Sequence, residues 1–397
     1  MRVKQTGKKI NRKLRMGMVG GGPGAFIGEV HRKAARMDGG IELAAGAFDI
    51  NPRKSKQMGR ELYLNSRRVY RNYEEMIERE LRLPAEERID FASICAPNNW
   101  HFPIARDFLQ AGFHVMCEKP MTFNSKEARA LVQIVKTTRK VFGLMHNYTG
   151  YPMVKLARDM VANGELGRVR KIVVQYPQGW LYSLLEKTGQ QQASWRTNPK
   201  EGGASCCVGD IGTHAENLAE YITGLKMTHI CADLTTFVKG RKLEDDGNCL
   251  IRYNNGAKGV LHCSQISIGE ENGLAIWIYG EEKALEWHQE HPNYLYVKVP
   301  DGPVQVWRRG NDYVADKSPA AARATRLPFG HPEAFFEAMA NIYCNFADTV
   351  RAKITRTKPD PLALDFPTVK DGLRGMLFLD TVLASAKSKQ KWTEMKK

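Results

Sequence analysis

The chain has 397 residues, 43% of them hydrophobic, and a formal charge of +16. Its length allows two or three domains with sizeable cores, and it contains no run of about 18 apolar residues such as a membrane span requires. The charge is concentrated at the ends: residues 1–15 hold seven bases and no acid, and residues 385–397 hold five lysines against one acid. The body of the chain is therefore close to neutral, and neither a nucleic-acid nor a membrane partner is expected. No apolar segment follows the basic start, so no signal peptide is expected and the location expected is cytoplasmic. Eight cysteines show no CxxC spacing and lie mostly in apolar segments. They read as buried reduced thiols and not as disulfides or a metal site.

Strand and helix patterns alternate through the first 150 residues. Leu14–Val19 is a short apolar run that ends in glycines, and residues 24–38 follow as a helix. Ile41–Phe48 is the next strand and Pro52–Leu62 the next helix. Ile89–Ala96 is a buried strand stopped by Pro97, followed by a helix over Phe102–Gln110. His114–Cys117 is a further strand, Ser125 is a candidate cap for a helix to about Arg139, and Val141–Met145 is the last strand. Such alternation implies right-handed crossovers and a parallel sheet.

After Tyr151 the pattern changes. A helix over Pro152–Asn163 is followed by strand-like runs at Arg170–Tyr176, Thr228–Val238, Asn248–Tyr253, Lys258–Ile268, Ala275–Tyr279 and Tyr294–Val299. Asn255-Gly256 is a hairpin signal. A helix at about Ile211–Thr223 interrupts the strands, residues 309–325 read as a long loop, and helices return at Pro332–Arg351 and Thr368–Ser385. The fold class expected is α/β. A Rossmann-type, doubly wound parallel sheet over residues 12–148 precedes an α+β domain over 149–397 with a large, mainly antiparallel open sheet.

Several stretches carry chemistry. The turn through Gly20, Gly22, Gly24, Ala25, Phe26 and Ile27 lies between a strand and a helix, where glycines let a backbone approach a pyrophosphate. Asp49, at the end of the second strand, can accept from both ribose hydroxyls of NAD and would repel a 2′-phosphate, so NAD is favoured over NADP. Pro97, Asn98 and His101 lie at the carboxyl edge of the sheet, where ligands bind. Glu118 and Lys119 end a buried strand on the same edge. They fit a solvated strand end as well as a polarising lysine. Asp210 and His214 are four residues apart, which puts them on one face of a helix. The pair fits an orienting carboxylate beside an imidazole base, and equally a helix cap beside a core histidine. No further ligand cluster is near, so no metal is expected.

These motifs together resemble the Gfo/Idh/MocA family, that of glucose–fructose oxidoreductase and inositol dehydrogenase. The glycine turn, PNxxH after what counts as the fourth strand, EKP after the fifth and DxGTH in the second domain carry the resemblance. GELGRV (164–169), Trp195-Arg196 and DFPTVKDGLRGMLFLDTVLAS (365–385) extend it over residues 14–388. It implies that Lys119, Asp210 and His214 are catalytic. Lys119 would contact the substrate oxygen, His214 would transfer the proton and Asp210 would fix His214. Glu118, Pro97, Asn98 and His101 would shape the NAD pocket, with Tyr148, Trp195 and Arg196 on the substrate and nicotinamide side. The reaction implied interconverts a secondary alcohol and a ketone on a cyclic polyol, sugar or glycoside. A glycoside-cleaving enzyme using bound NAD and a non-catalytic NAD(P) sensor stand as alternatives. A homo-oligomer, dimeric or higher, is expected. One departure from the family pattern is that five residues separate Gly22 from Gly28 where two are usual, which leaves open whether Gly22 or Gly24 meets the pyrophosphate.

Overall fold

The computed structural model describes residues 10–396; the most basic part of the N-terminal tail, residues 1–9, and the final lysine lie outside them. Five parallel strands form the first sheet: β1 (Leu14–Gly20), β2 (Ile41–Ala47), β3 (Phe91–Cys95), β4 (His114–Cys117) and β5 (Phe142–Leu144). Their order is β2-β1-β3-β4-β5, so the winding reverses between β1 and β3. In open α/β sheets the ligand crevice opens at that reversal, beyond the carboxyl ends of the strands. Every residue of β3 and β4 is buried, as expected for strands covered on both faces.

The motifs expected after a fourth and a fifth strand therefore follow the third and fourth. The only trace of an intervening strand among the described residues is one isolated parallel bridge, Gly46 to Val69. The helix after β4 is capped by Asn124, not Ser125. The Asn124 side chain accepts from Glu127 N at 3.0 Å, while the Ser125 hydroxyl donates to Asp380 at 2.5 Å.

The second sheet has nine strands: β6 (Lys171–Pro177), β7 (Met227–Thr235), β8 (Asp246–Tyr253), β9 (Lys258–Ser264), β10 (Ala275–Tyr279), β11 (Ala284–His288), β12 (Tyr294–Lys298), β13 (Gln305–Arg308) and β14 (Thr393–Glu394). Their order is β13-β12-β11-β10-β6-β9-β8-β7-β14, and neighbours are antiparallel except β6 and β9. The Asn255-Gly256 turn joins β8 to β9, with Gly256 at φ 91°. Residues 309–325 are not a loop: they hold helices Asp312–Lys317 and Pro319–Arg323. Ser318 ends the first and caps the second, and Pro319 takes its first position. Each is under two turns long, too short for a 3.6-residue period to show.

One face of this sheet carries helices Pro152–Ala162, Thr213–Thr223 and Val369–Lys387; the other leaves Val173, Trp277, Tyr279 and Tyr296 partly or largely exposed. Packing crosses the boundary expected at residue 148. Helix Phe335–Thr355 returns to the first sheet, where Tyr343 meets His31 edge-on at 5.7 Å and Phe346 meets Phe91 at 5.1 Å. Under that contact lies a buried polar chain. Glu118 Oε1 is 2.7 Å from His31 Nε2, His31 Nδ1 is 2.6 Å from the Tyr343 hydroxyl, and that hydroxyl is 2.9 Å from Ser93 Oγ. Buried polar groups that lose a partner keep their desolvation cost. Tyr343→Phe should therefore lower unfolding stability by about 1–3 kcal/mol in a denaturant titration; no change would show that the chain contributes nothing.

Candidate active site

The glycine turn closes against β3. Gly20 has φ 81°, and a Cβ there would stand 2.4 Å from the Cys95 carbonyl oxygen. Gly28, one turn into helix Phe26–Arg36, packs on Gly21. Gly22 faces Asp49: a Cβ on Gly22 would be 3.4 Å from Asp49 Oδ2. That contact favours Gly22 as the residue of close approach. Pro23, Gly24 and Ala25 are the extra residues of the long turn, and Gly24 looks toward Gln191 of the second domain, 3.6 Å from a Cβ there. No side chain caps the helix at Ala25, so its N-terminal N–H groups suit a phosphate. Phe26 is 67% exposed beside it and Ile27 is partly buried. Asp49 Oδ1 accepts from Asn51 N at 2.8 Å, and Oδ2 is turned to the turn's glycine, as a ribose diol would need. The cradle thus fits a dinucleotide.

Pro97 precedes helix Asn98–Gln110, and Asn98 Nδ2 donates across the cleft to Gly202 O at 2.9 Å. His101 has Ala96 O at 2.8 Å from Nε2 and Pro120 O at 2.7 Å from Nδ1. It braces the ends of β3 and β4 and leaves neither nitrogen for a ligand. Glu118 is likewise turned inward, to His31 and to Lys119 N. Both side chains are thus committed to partners within the protein.

Lys119, beside a cis bond to Pro120, reaches into the second domain. Its Nζ donates to Asp210 Oδ1 at 2.6 Å and to Asp210 O at 2.8 Å. Asp210 Oδ2 accepts from Gln265 Nε2 at 2.9 Å and lies 3.3 Å from Arg196 Nε. Burial would raise the Asp210 pKa, but Lys119 and Arg196 outweigh it and hold the carboxyl well below its ordinary range. Arg196 stacks on Trp195 at 4.3 Å and lies 6.0 Å from the Trp180 ring.

The expected pairing of Asp210 with His214 is not found among the described residues. Val208–Gly212 is a π-turn, and the α-helix starts only at Thr213. A π-turn carries more residues per turn, so four residues no longer return to one face. The carboxylate is given to Lys119, Gln265 and Arg196. His214 is partnered by His146 instead, Nδ1 to Nδ1 at 3.3 Å. Burial, then Lys119 and His146, hold its pKa well below the usual imidazole value, so it is neutral at pH 7.

The ring of Tyr148 packs edge-on to His214 at 4.8 Å. From there a run of uncharged polar groups extends: the Tyr148 and Tyr176 hydroxyls are bonded to each other, Tyr176 donates to Asn272 at 2.6 Å, Gln178 to Asn272 at 2.9 Å and Trp180 to Gln178 at 3.1 Å. His146, Tyr176, Gln265 and Asn272 were missed by sequence reasoning. Only His146, just past the last strand of the first sheet, stood where a signal could have been read. A neutral base and an ammonium that acts on it electrostatically are a combination that can take a hydroxyl proton while steadying the oxygen left behind.

Because the Asp210 pKa is depressed, its ion pair contributes fully above the ordinary value of 3.8 and is lost only as pH falls below that. The melting-temperature gap between wild type and Asp210→Asn should be constant from pH 7 to about pH 4 and shrink at lower pH; a gap that closes near pH 6 would contradict the pairing.

Both parts of the chain match known protein families. The family described as "Oxidoreductase family, NAD-binding Rossmann fold" matches residues 14–146, and "GFO/IDH/MocA C-terminal domain" matches residues 154–286. The uncharacterized oxidoreductase YfiI of Bacillus subtilis is 33% identical over 390 residues, 98% of each chain. An inositol dehydrogenase homolog of Azotobacter vinelandii, solved with NAD+, is 35% identical with a TM-score of 0.91 over 99% of this chain and 100% of that one. The same homolog solved with NADH and myo-inositol has a TM-score of 0.89 at 35% identity, over 98% and 99% of the two chains. Levoglucosan dehydrogenase of Pseudarthrobacter phenanthrenivorans is 26% identical over 328 residues, 75% of this chain and 78% of that one. With its Rossmann sheet, its nine-stranded second sheet and both family domains matched in order, the chain belongs to the Gfo/Idh/MocA oxidoreductases, with an NAD-binding domain at its N-terminal end.

Proposed function

We propose that the protein is an NAD-dependent dehydrogenase interconverting a secondary alcohol and a ketone on an uncharged cyclic polyol, sugar or glycoside, a glucoside 3-hydroxyl among them. The observation that carries this reading is the Lys119 ammonium, held by Asp210, together with a buried His214 that burial and Lys119 keep neutral. Lys119, held in place by Asp210, donates to the substrate oxygen and stabilises the developing alkoxide. His214 accepts the hydroxyl proton in oxidation and returns it in reduction. Bound NAD+ supplies the hydride acceptor.

The substrate class follows from the wall beside His214. Tyr148, Tyr176, Asn272, Gln178 and Trp180 present hydroxyl, amide and ring groups, and the neighbouring Arg196 is turned to Asp210. Such groups suit several neutral hydroxyls on an apolar ring better than a phosphate or carboxylate. Tyr148 and Arg196 line the substrate side. Gly20, Gly22, the helix start at Phe26, Asp49, Pro97, Asn98 and Trp195 line the cofactor side. Residues 12–148 hold the cofactor, and 149–397 supply the substrate wall and the sheet face for self-association, whose half-exposed Trp277 and Tyr296 favour a homo-oligomer. Eight free cysteines accord with the reducing cytoplasm.

A screen of inositols, aldoses and phenolic glucosides for NAD+ reduction tests the reading. With the best substrate, Lys119→Ala should lose about 10²–10³-fold in kcat and His214→Ala about 10²–10⁴-fold. Since His214 has a lowered pKa, kcat/KM for oxidation should stay level as pH falls through 6.5, with its acid limb lower. If no polyol or sugar reduces NAD+ and no oxo-sugar oxidises NADH, the dehydrogenase reading fails. Asp49→Ser should weaken NAD+ binding and narrow its advantage over NADP+ at least about tenfold, a change of roughly 1.4 kcal/mol, as measured from the two KM values.

A further inference from the structure

We propose that His146 is the positioning residue of the proton acceptor: it accepts the His214 Nδ1–H, which leaves Nε2 of His214 as the bare base. The inference rests on the dehydrogenase reading and goes beyond it by naming what fixes the base. Three observations lead there. The carboxylate four residues before His214 is committed elsewhere, to Lys119, Gln265 and Arg196. The two imidazoles face each other through Nδ1 at 3.3 Å, with ring centroids 5.2 Å apart and planes at 84°. Both rings are buried, His146 at 2% and His214 at 6% exposure.

A neutral imidazole carries one N–H, so two facing Nδ1 atoms share a single proton. With that proton on His214, its Nε2 must be unprotonated. When Nε2 takes the hydroxyl proton, the bond between the rings becomes N–H⁺···N, a charge-assisted bond that offsets burial of the new charge. The hydroxyl proton ends on His214, the electron pair of the C–H bond leaves with the hydride, and His146 gains and loses nothing. A carboxylate in its place would draw the His214 pKa upward and leave the ring protonated at neutral pH. An imidazole fixes the tautomer without adding charge. The groups facing the pair are Lys119 and Glu118 from the end of β4, Tyr148 beside His146 and Tyr176 from β6. Burial, with Lys119, pushes His146 down to about 3, so it remains an uncharged acceptor throughout the working range.

Long-range 1H–15N spectra of the full protein labelled with 15N-histidine read the tautomer of His214 without any substrate. In wild type, His214 should be the Nδ1–H form and should not titrate near 6.5. In His146→Phe, a ring of similar size with no acceptor, the Nε2–H form should appear and kcat should fall about 100-fold with little change in KM. His146→Asn, whose amide oxygen can accept from Nδ1–H, should restore the Nδ1–H form and most of the lost kcat. An Nε2–H His214 in wild type, or a spectrum and kcat unchanged in His146→Phe, would overturn the assignment. The spectra need no turnover, so they decide the role of His146 even if the substrate screen sinks the dehydrogenase reading.

Discussion

The ion pair between Lys119 and Asp210 is the constraint on which the site depends. One partner ends a strand of the dinucleotide sheet and the other sits in a π-turn of the second domain. A buried pair of this kind is stable only when its remaining lone pairs and protons are also satisfied. Here most are: Lys119 donates to the Asp210 carbonyl as well, and the second carboxylate oxygen accepts from Gln265 with Arg196 3.3 Å away. The same contacts set the distance between the two domains at the place where a ligand would lie between them.

From that pair the rest of the cleft is braced in both directions. Behind Lys119, Glu118 holds His31 at the base of the glycine turn's helix, and His101 ties the ends of β3 and β4 together. In front, Arg196 carries Trp195 and Trp180 over the cleft, and Asn98 meets Gly202 from below. Arg241 secures the start of that covering segment, donating to Leu181 O and Ser183 O and pairing with Glu186. The site is therefore held by buried polar contacts, each costly to leave unmade.

Much of this was legible beforehand because it is local. The alternation of strands and helices, the stop at Pro97, the glycine turn and the hairpin at Asn255-Gly256 are each written in a few adjacent residues. Lys119 and Asp210 were legible as motif residues on edges. The extra length of the glycine turn was legible too, but not its consequence: Gly22 is turned to Asp49 and Gly24 to Gln191, a contact made between domains. The helices over 312–323 escaped because neither is long enough to display a period.

The partner of His214 shows where such reading stops. Four residues' separation predicts a shared helix face only if the helix is regular, and a single π-turn removes that premise. The sequence by itself determined the class of fold and the kind of cofactor, since short-range patterns specify these, and its resemblance to a family pointed to Lys119, Asp210 and His214 as candidates for the site. Only the tertiary structure decided which of those groups pair. Lys119 goes to Asp210, ninety-one residues away, and His214 goes to His146, sixty-eight residues away. Such partners are chosen by the packing of distant segments of the chain against each other, and no local pattern encodes the outcome.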